Sequence, residues 1–512
     1  MSNTRADKLT TADEAVSLIR DGDTVVSGGF VGAAHPEALT AALERRFKER
    51  NEPRQITLVY AAGQGDGKSR GLNHLAHPGL IKRVIGGHWG LAPALGRLAI
   101  ENEIEAYNFP QGVICHLLRD IAAGRPGCVT RVGLGTFIDP DQQGGRLNER
   151  TTKALVERID LHGETYLFYQ AFPITVGLIR ATTADPSGNL SMEDEAVIGE
   201  VLPIAQAVRN CGGIVLAQVK QLSDHPTPPQ SVKVPGMLVD RIIVAAPGEH
   251  EQTFGESMNP SYCTPAATDH DALTGDVVSP DARRIIAARA CDELRADDIA
   301  NLGIGMPEGI GTIAADRGLL KQVTLTLESG PIGGTPAGGL SFGASAHPQA
   351  IVDQPAQFDF YDGGGLDFAA LGAAQIDRHG NVNVSKFGDR LAGVGGFVNI
   401  SQNAKRLIFC GTLTSGGLQT RIANGALVIE TEGETKKFVR DVEQISFSGT
   451  LARAARREVL FVTERAVFRL TDAGLQLIEI APGIDLQKHI LDQMEFAPIV
   501  EQIKPMVPHL FQ

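Results

Sequence analysis

The stretch RQITLVYAAG (residues 54–63) returns later in the chain as KQVTLTLESG (residues 321–330). Four residues are identical at a constant offset: Gln55 and Gln322, Thr57 and Thr324, Leu58 and Leu325, Gly63 and Gly330. In both copies a β-rich run ends in a glycine, which is typical of a strand followed by a tight turn. The repeat therefore indicates that two parts of the chain share one local structure.

Two further pairs of segments occur in the same order. GDTVVSGGFVGAAHPEAL (22–39) is similar to DDIANLGIGMPEGI (297–310), and ATTADPSGNLSMED (181–194) is similar to LGAAQIDRHGNVNVS (371–385). Three paired blocks predict two homologous domains, at 1–270 and 280–512. The boundary is expected in the aperiodic stretch 263–283, and an insertion of about 86–165 lengthens the first domain.

Each half alternates helical periodicity with short β-rich runs and glycine turns. HPEALTAALERRFKER (35–50) is predicted to be a helix before the 54–63 strand, and MPEGIGTIAADRG (306–318) precedes the 321–330 strand. This alternation predicts parallel βαβ units, and hence two tandem open three-layer α/β domains. Ligands of such sheets bind beyond the carboxyl ends of the strands, where the glycine turns lie.

Composition and charge argue against several classes of protein. The 512 residues are 43% hydrophobic and carry a net charge of -13, which argues against general binding to nucleic acid or to anionic membranes. The sequence shows no signal peptide and no apolar run long enough to span a bilayer, so a cytoplasmic location is expected. Six scattered cysteines without CxxC spacing predict reduced thiols rather than disulfides or a zinc site.

One position differs between the copies in a way that suggests chemistry. Where the first copy has Ala61-Ala62-Gly63, the second has Glu328-Ser329-Gly330, at the end of a predicted buried strand. An ionised carboxylate in that place is costly unless neighbouring groups stabilise it, which favours a functional role. The alternative is that Glu328 caps the next helix or pairs with an arginine.

The motifs around this glutamate resemble those of family I coenzyme A transferases, in particular the single-chain acetate or propionate CoA-transferases. The resemblance is carried by ESGPIGG, LGIGMPEGI, GGGLDFAALGAAQID and FGDRLAGVGGFVNIS in the second half, and by GGHWGLAP and YNFPQG in the first. It implies the open α/β fold shared with ribose-5-phosphate isomerase and glucosamine-6-phosphate deaminase. It also implies transfer of CoA between short-chain acids such as acetate, propionate, butyrate or acetoacetate.

The resemblance assigns roles to particular residues. Glu328 would be the nucleophile that becomes a glutamyl-CoA thioester, while Gln111 and either Gly395 or Gly396 would stabilise the oxyanion. CoA would be a substrate and covalent intermediate, with no permanently bound cofactor and no metal. The family also suggests a homotetramer or homodimer. Expected contacts to substrate or CoA are Gly303, Gly305, Ser329, Gly330, Gly363, Gly364, Gly365 and Lys386.

Some motifs of the sequence are also similar to those of other functional classes. AGQGDGKS (62–69) is similar to a phosphate-binding loop, but no uninterrupted helix is predicted after Lys68. LGIGMPEG (302–309) is a weak match to a dinucleotide fingerprint, because Glu308 occupies the third glycine position. An isomerase or an acyl-CoA sensor on the same fold would not need two fused halves or Glu328. An acyl-CoA hydrolase, using water on the same intermediate, remains open.

Overall fold

A computed structural model describes residues 4–266 and 282–511. The chain divides into two compact units. The first comprises Met1–Ala267, Leu327–Asp359 and Gly388–Asn399, and the second comprises Thr268–Thr326, Phe360–Phe387 and Ile400–Gln512. The units thus differ from a simple division into 1–270 and 280–512, because two segments of the second half pack within the first unit. The predicted boundary at 263–283 lies mostly outside the described residues.

The elements are numbered along the chain. The helices are α1 (Arg5–Lys8), α2 (Ala12–Val16), α3 (Glu37–Arg50), α4 (Pro93–Ile100), α5 (Gln111–Ala122), α6 (Val201–Asn210), α7 (Ala282–Cys291), α8 (Glu308–Asp316), α9 (Gln354–Asp362), α10 (Phe397–Asn403), α11 (Gly449–Ala454) and α12 (Leu486–His489). The strands up to residue 266 are β1 (Thr24–Ser27), β2 (Ile56–Tyr60), β3 (Ile81–Gly86), β4 (Glu105–Asn108), β5 (Gly127–Thr130), β6 (Val156–Leu161), β7 (Glu164–Gln170), β8 (Val176–Ala184), β9 (Leu190–Ser191), β10 (Ile214–Leu222) and β11 (Arg241–Val244).

The later strands are shorter and more numerous. They are β12 (Ile299–Leu302), β13 (Thr324–Leu325), β14 (Pro331–Ile332), β15 (Thr335–Pro336), β16 (Ser345–Ala346), β17 (Ala350–Ile351), β18 (Phe368–Gly372), β19 (Gln375–Asp377), β20 (Val382–Asn383), β21 (Lys386–Phe387), β22 (Arg390–Leu391), β23 (Arg406–Cys410), β24 (Thr414–Ser415), β25 (Gln419–Ala423), β26 (Ala426–Thr431), β27 (Thr435–Lys436), β28 (Phe438–Val439), β29 (Glu458–Val462), β30 (Ala466–Thr471), β31 (Gly474–Ile480) and β32 (Ile499–Pro505).

The first unit is built on a parallel sheet in the order β11-β10-β8-β1-β2-β3-β4. Its central strands are buried on both faces, as expected for a parallel sheet covered by helices. Strand β1 pairs with β2 in the register Val25 to Leu58, and with β8 in the register Val26 to Gly177. The apolar run ITLVY thus becomes an inner strand because each of its faces is covered.

The second unit repeats the core of this order. Its main sheet runs β13-β12-β18-β23-β29 before continuing into β30, β31 and β32. Strands β12, β13 and β18 correspond to β1, β2 and β8. The spatial order β2-β1-β8-β10-β11 of the first sheet is therefore matched by β13-β12-β18-β23-β29 in the second. The predicted tandem α/β architecture is confirmed. In the second unit the counterpart of β2 is short, however, because β13 ends at Leu325, three residues before Glu328.

Between β2 and β8 the first unit contains elements that have no counterpart between β13 and β18. Beyond β2, the first sheet gains β3 and β4, and a separate antiparallel sheet forms in the order β5-β7-β6. The helix predicted at 35–50 is α3, and that at 306–318 is α8. Within the described ranges, no helix combines the length and the apolar character needed to cross a bilayer.

Candidate active site

Glu328 lies in a tight loop of the first unit. The loop is closed by two backbone hydrogen bonds: Gly330 N–H donates to Leu327 O at 3.0 Å, and Leu327 N–H donates to Pro331 O at 3.0 Å. Gly330 has a φ of +122°, and a Cβ placed on it would lie 2.1 Å from Val352 O. Only glycine fits both the conformation and the space at this position. Glu328 itself is half-buried, whereas both residues that follow it are buried.

Ser329 has a structural partner rather than an evident substrate contact. Its side chain is fully buried, and its hydroxyl donates to Gly343 O at 2.6 Å. A hydroxyl has one proton to donate, and that proton is already used. Ser329 therefore helps to position the loop that carries Glu328, and its contact with CoA stays a prediction.

Gln111 is the first residue of α5, directly after Pro110. Its backbone N–H donates to Gly395 O at 2.9 Å, and its side chain is 2% exposed. The side-chain nitrogen Nε2 has no hydrogen-bond partner among the described residues. A Cβ built on Gly395 would lie 3.5 Å from Gln111 Oε1. The structure thus brings together two of the predicted oxyanion groups, and one of them is a buried donor with nothing to donate to.

In the turn 393–396, the two glycines that the family resemblance gave as alternative oxyanion donors differ in their hydrogen bonds. Gly395 N–H donates to Gly87 O at 2.8 Å, so it cannot also serve an oxyanion. Gly396 is buried, and its N–H has no acceptor within the part of the chain that the structure describes. The donor role proposed for this turn therefore passes from Gly395 to Gly396.

Asn108 holds this arrangement together, although the sequence reasoning did not single it out. Its side chain is fully buried, and Nδ2 donates to Gly86 O at 2.8 Å and to Gly87 O at 2.5 Å. Its Oδ1 accepts the N–H of Val394 at 3.0 Å. One amide thus joins the end of β3 to the 393–396 turn. The motif YNFPQG contains both Asn108 and Gln111, which was the available signal.

His88 is a second residue that the sequence reasoning passed over. Its ring packs where Gly63 and Gly90 lack side chains, although part of the residue is still accessible to solvent. Burial, and then the nearby Arg390 cation, lower the pKa of His88 to about 4. The imidazole is therefore neutral at pH 7. His88 Cβ lies 3.5 Å from the position of a Cβ on Gly395, so this neutral ring adjoins the same turn.

The predicted CoA contacts in the second unit separate into two groups. Gly303 and Gly305 follow β12, at the carboxyl edge of the sheet, and Gly305 has a φ of +82° with open space around it. Gly363, Gly364 and Gly365 instead follow α9 and precede β18, which places them at the amino edge. There Gly364 and Gly365 N–H donate to Tyr361 O and Phe360 O. Gly364 and Gly365 thus close the end of α9, and the contact of residues 363–365 with CoA stays a prediction.

Two lysines of the second unit bear on anion binding. Lys386 is half-buried in β21, and no ion pair to it is found among the described residues. Lys437 was not predicted: its Nζ lies 2.5 Å from the position of a Cβ on Gly411, the residue after β23. Burial lowers the pKa of Lys437 to about 8, with Glu464 acting in the opposite direction. Lys437 thus places a cation at the carboxyl edge of the sheet.

The phosphate-loop alternative at 62–69 is excluded by the loop itself. The side chain of Asp66 accepts the N–H groups of Lys68, Ser69 and Arg70 at 2.8, 2.8 and 3.0 Å. The next element is a 3₁₀ turn, Leu72–Leu75, rather than an α-helix. A phosphate loop needs these N–H groups and a helix start for its ligand. In the described residues, no three His, Cys, Asp or Glu side chains are grouped to hold a metal ion.

Comparison with known proteins points to one family. The sequence profile described as Coenzyme A transferase matches residues 9–245. The chain is 43% identical to the acetate CoA-transferase YdiF of Escherichia coli O157:H7, over 98% of this chain and 94% of that protein. It is 42% identical to the caffeate CoA-transferase of Acetobacterium woodii, over 98% of this chain and 97% of that protein.

A solved structure agrees over nearly the whole length. A crystal structure of the acyl-CoA transferase YdiF from E. coli O157:H7, described as a thioester complex with CoA, superposes with a TM-score of 0.92. The sequences are 42% identical there, and the match covers 99% of this chain and 96% of that one. The comparison therefore extends to both units and to the glutamate loop.

Proposed function

The chain belongs to the coenzyme A transferase family, and from that premise we propose that it moves CoA between short-chain carboxylic acids through a thioester on Glu328. The observation that carries the proposal is the hydrogen-bonded loop that holds a half-buried Glu328 next to buried residues. Such a loop fixes the backbone that carries the Glu328 side chain. Acetate or propionate are the proposed acids, since one relative is an acetate CoA-transferase.

The chemistry needs only this carboxylate and oxyanion donors. Glu328 attacks the carbonyl carbon of the acyl-CoA, the carbon–sulfur bond breaks, and CoA leaves as a thiolate while an acyl-glutamyl anhydride forms. The thiolate then attacks the glutamyl carbonyl, which gives glutamyl-CoA and releases the first acid as its carboxylate. A second carboxylate reverses both steps. CoA is thus a substrate and part of the covalent intermediate, and no step is an oxidation or a reduction.

Each step passes through a tetrahedral oxyanion, and two groups are suited to receive it. Gln111 Nε2 is a buried donor without a partner in the described structure, and Gly396 supplies a backbone N–H from the adjoining turn. Removing one such donor typically lowers kcat by about 10²–10³. His88, which adjoins the 393–396 turn, is neutral at pH 7, so it adds no charge beside the two proposed donors. Asn108 is a positioning residue, because it fixes the two loops rather than facing substrate.

CoA contacts are proposed for the carboxyl edge of the second sheet. Gly303 and Gly305 leave room for close approach to the backbone, and Lys386 and Lys437 offer cations for phosphate. Binding of the distant part of CoA can then raise the rate of reaction at Glu328 as well as affinity. A cytoplasmic homotetramer or homodimer, acting without nucleic acid or membrane, completes the proposal.

The proposal is tested by trapping the intermediate. Incubation with acetyl-CoA in the absence of acceptor acid should leave the peptide containing Glu328 heavier by CoA less water, as measured by peptide mass spectrometry. Glu328→Ala should remove both the adduct and transfer, and Glu328→Asp should fail too, because the carboxylate is withdrawn by one methylene. Glu434→Ala, at an exposed loop position, is the matched control and should keep both.

Two results would contradict the assignment. Ordinary turnover by folded Glu328→Ala would show that another group carries CoA. Steady release of acetate from acetyl-CoA without acceptor, at the rate of transfer, would favour the hydrolase alternative, in which water reaches the intermediate. Ping-pong kinetics with two acids is the pattern expected of the transferase.

A further inference from the structure

A cavity of about 470 Å³ lies at the amino edge of the first sheet, within the first unit. Strands β1, β2 and β3 begin at this edge. The residues that line the cavity include Thr24, Thr57, Lys82, Arg83, Lys153 and Phe172. Its volume falls in the range of about 300–1,000 Å³ that is typical of pockets for small molecules. The proposed catalytic groups of this unit follow the carboxyl ends of the same strands, so the cavity is separate from them.

Polar side chains form a row across the strands that border the cavity. Thr24 lies in register with Thr57, and Thr57 lies in register with Arg83. Arg83 in turn lies in register with Glu105 of β4. Residues in register on neighbouring parallel strands point to the same face, so these four side chains share one face of the sheet. Neither threonine hydroxyl has a hydrogen-bond partner in the described part of the chain, so both are available to a ligand.

Glu105 holds the guanidinium group of Arg83 in a fixed orientation. Arg83 Nε donates to Glu105 Oε2 at 2.6 Å, and Arg83 Nη2 lies 2.5 Å from the same oxygen. Arg83 Nη1 has no partner within residues 4–266 and 282–511. The Arg83 side chain is 22% exposed, so it is partly withdrawn from solvent. An arginine fixed in this way offers preoriented N–H donors to an anion, with less side-chain entropy to lose.

Two lysines add to the charge of the cavity. Lys82 precedes Arg83 on β3, and Lys153 lies just before β6. The carbonyl oxygen of Lys153 accepts the hydroxyl of Tyr107 at 2.8 Å, which holds this segment against β4. Neither lysine forms an ion pair with a described residue. None of the described residues that line the cavity is acidic, so the lining carries three positive charges in a chain whose net charge is -13.

The charge and the donors of the cavity match a phosphate monoester. Three cations and the Glu105 carboxylate leave a net charge of +2. A phosphate monoester carries a charge of about −1.5 to −2 at pH 7 and has three strong acceptor oxygens. A carboxylate has one charge and two oxygens, so it would leave more of the donors unused. Phe172 and Leu155 also line the cavity, and they supply apolar surface for the organic part of a ligand.

We propose that this cavity binds a small phosphate monoester, with its phosphate held by Lys82, Arg83 and Lys153 and its organic part against Phe172. The inference goes beyond the proposed function and does not depend on it, because CoA is assigned to the carboxyl edge of the other sheet. Two of the three cations belong to β3, the neighbour of β2. The second sheet ends at β13, the counterpart of β2, within the described residues. One site per chain is therefore expected.

The test is isothermal titration calorimetry of the full chain with phenyl phosphate. Benzoate and inorganic phosphate serve as comparison ligands, because each lacks one of the two parts that the cavity should bind. We expect phenyl phosphate to bind once per chain, and at least about tenfold more tightly than either comparison ligand. Arg83→Met should weaken its binding at least about tenfold, and so should the double variant Lys82→Met, Lys153→Met.

Two controls show whether the effect belongs to this cavity. Arg421 is a matched arginine, because its Nε donates to Glu430 Oε1 at 2.7 Å on another part of the surface. Arg421→Met should therefore keep the affinity for phenyl phosphate within about twofold of wild type. The second control uses Glu328→Ala, in which CoA cannot react with the proposed nucleophile. An excess of CoA should leave the affinity of this variant for phenyl phosphate unchanged within about twofold.

Four outcomes would overturn the inference. They are no binding to the wild-type protein, equal binding of either comparison ligand, retained binding in the folded variants, and displacement of phenyl phosphate by CoA. If Arg83→Met does not fold, the double lysine variant still decides, since both lysines are exposed. The glutamyl-CoA adduct is measured without phenyl phosphate, so the failure of this inference leaves the proposed function as it stands, and the reverse also holds.

Discussion

Replacing Gln111 with methionine should change activity and stability in opposite directions. Gln111 is 2% exposed, and its Nε2 is an unpaired donor in the described structure. Methionine has similar volume and no polar group, so it removes an unsatisfied donor without opening a cavity. The expected gain is about 1–3 kcal/mol in the free energy of unfolding. The same change removes the proposed oxyanion donor, so kcat should fall about 10²–10³-fold.

The measurement pairs denaturant unfolding with transfer kinetics on one preparation. Gln64→Met is the matched control, because Gln64 is 1% exposed but fully paired. Its Oε1 lies 2.8 Å from both Ser27 Oγ and His35 Nδ1, and its Nε2 donates to Ser27 O at 2.9 Å. The same substitution there should lose at least about 1–3 kcal/mol, since it leaves these partners unsatisfied.

A Gln111→Met variant that keeps kcat within about threefold of wild type would contradict the proposed oxyanion role. A loss of stability in Gln111→Met as large as that in Gln64→Met would also contradict it, because Gln111 Nε2 would then have a structural partner. A gain in stability with a large loss of kcat is the signature of a group held unpaired for the transition state.

Two further predictions concern Glu200 and Gly330. Burial raises the folded-state pKa of Glu200 from 4.5 to about 8, so the folded protein holds a proton that the unfolded chain releases, and this contribution to stability is lost as pH rises from 4.5 to 8. Glu200→Gln should therefore raise the free energy of unfolding relative to wild type far more at pH 8 than at pH 5, by up to on the order of 5 kcal/mol at pH 8, as measured by denaturant unfolding. An equal effect at both pH values would contradict the neutral acid. Gly330→Ala should unfold at a lower denaturant concentration and lose the CoA adduct, since its Cβ would lie 2.1 Å from Val352 O. Gly248→Ala, with a φ of +88° and open space around it, should cost only about 1 kcal/mol, and equal losses at the two sites would show that φ alone matters.

The repeat made the fold predictable. Two copies of a β-rich run that ends in glycine, each preceded by a helix, were enough to predict two tandem α/β domains with parallel strands. The structure adds that the two sheets share a central strand order. Burial on both faces explains why the signal was clear, because both faces select apolar residues. The short β13 was not foreseen, since KQVTLTL has strand-like residues beyond the two that pair in the structure.

The sequence offered candidate site residues only where a proposed role depends on local sequence. Glu328 stood out because the other copy has alanine there, and Gln111 through its motif. The sequence could not show that the N–H of Gly395 is already bonded to Gly87, or that Gly363, Gly364 and Gly365 end a helix. Those facts depend on pairing between distant segments. Glu200 escaped notice for the same reason, because a glutamate before a helix looks solvated until its burial is known.

The segment Leu327–Asp359 follows the predicted boundary in sequence, yet it packs within the first unit. If the gene were divided at that boundary, the first polypeptide would be made without Glu328, the proposed nucleophile, and the second would carry it away from the residues that support it. Neither product would react with an acyl-CoA until the two had met in solution. Covalent fusion replaces that concentration-dependent encounter by an intramolecular one, so activity should survive dilution that would inactivate a split enzyme.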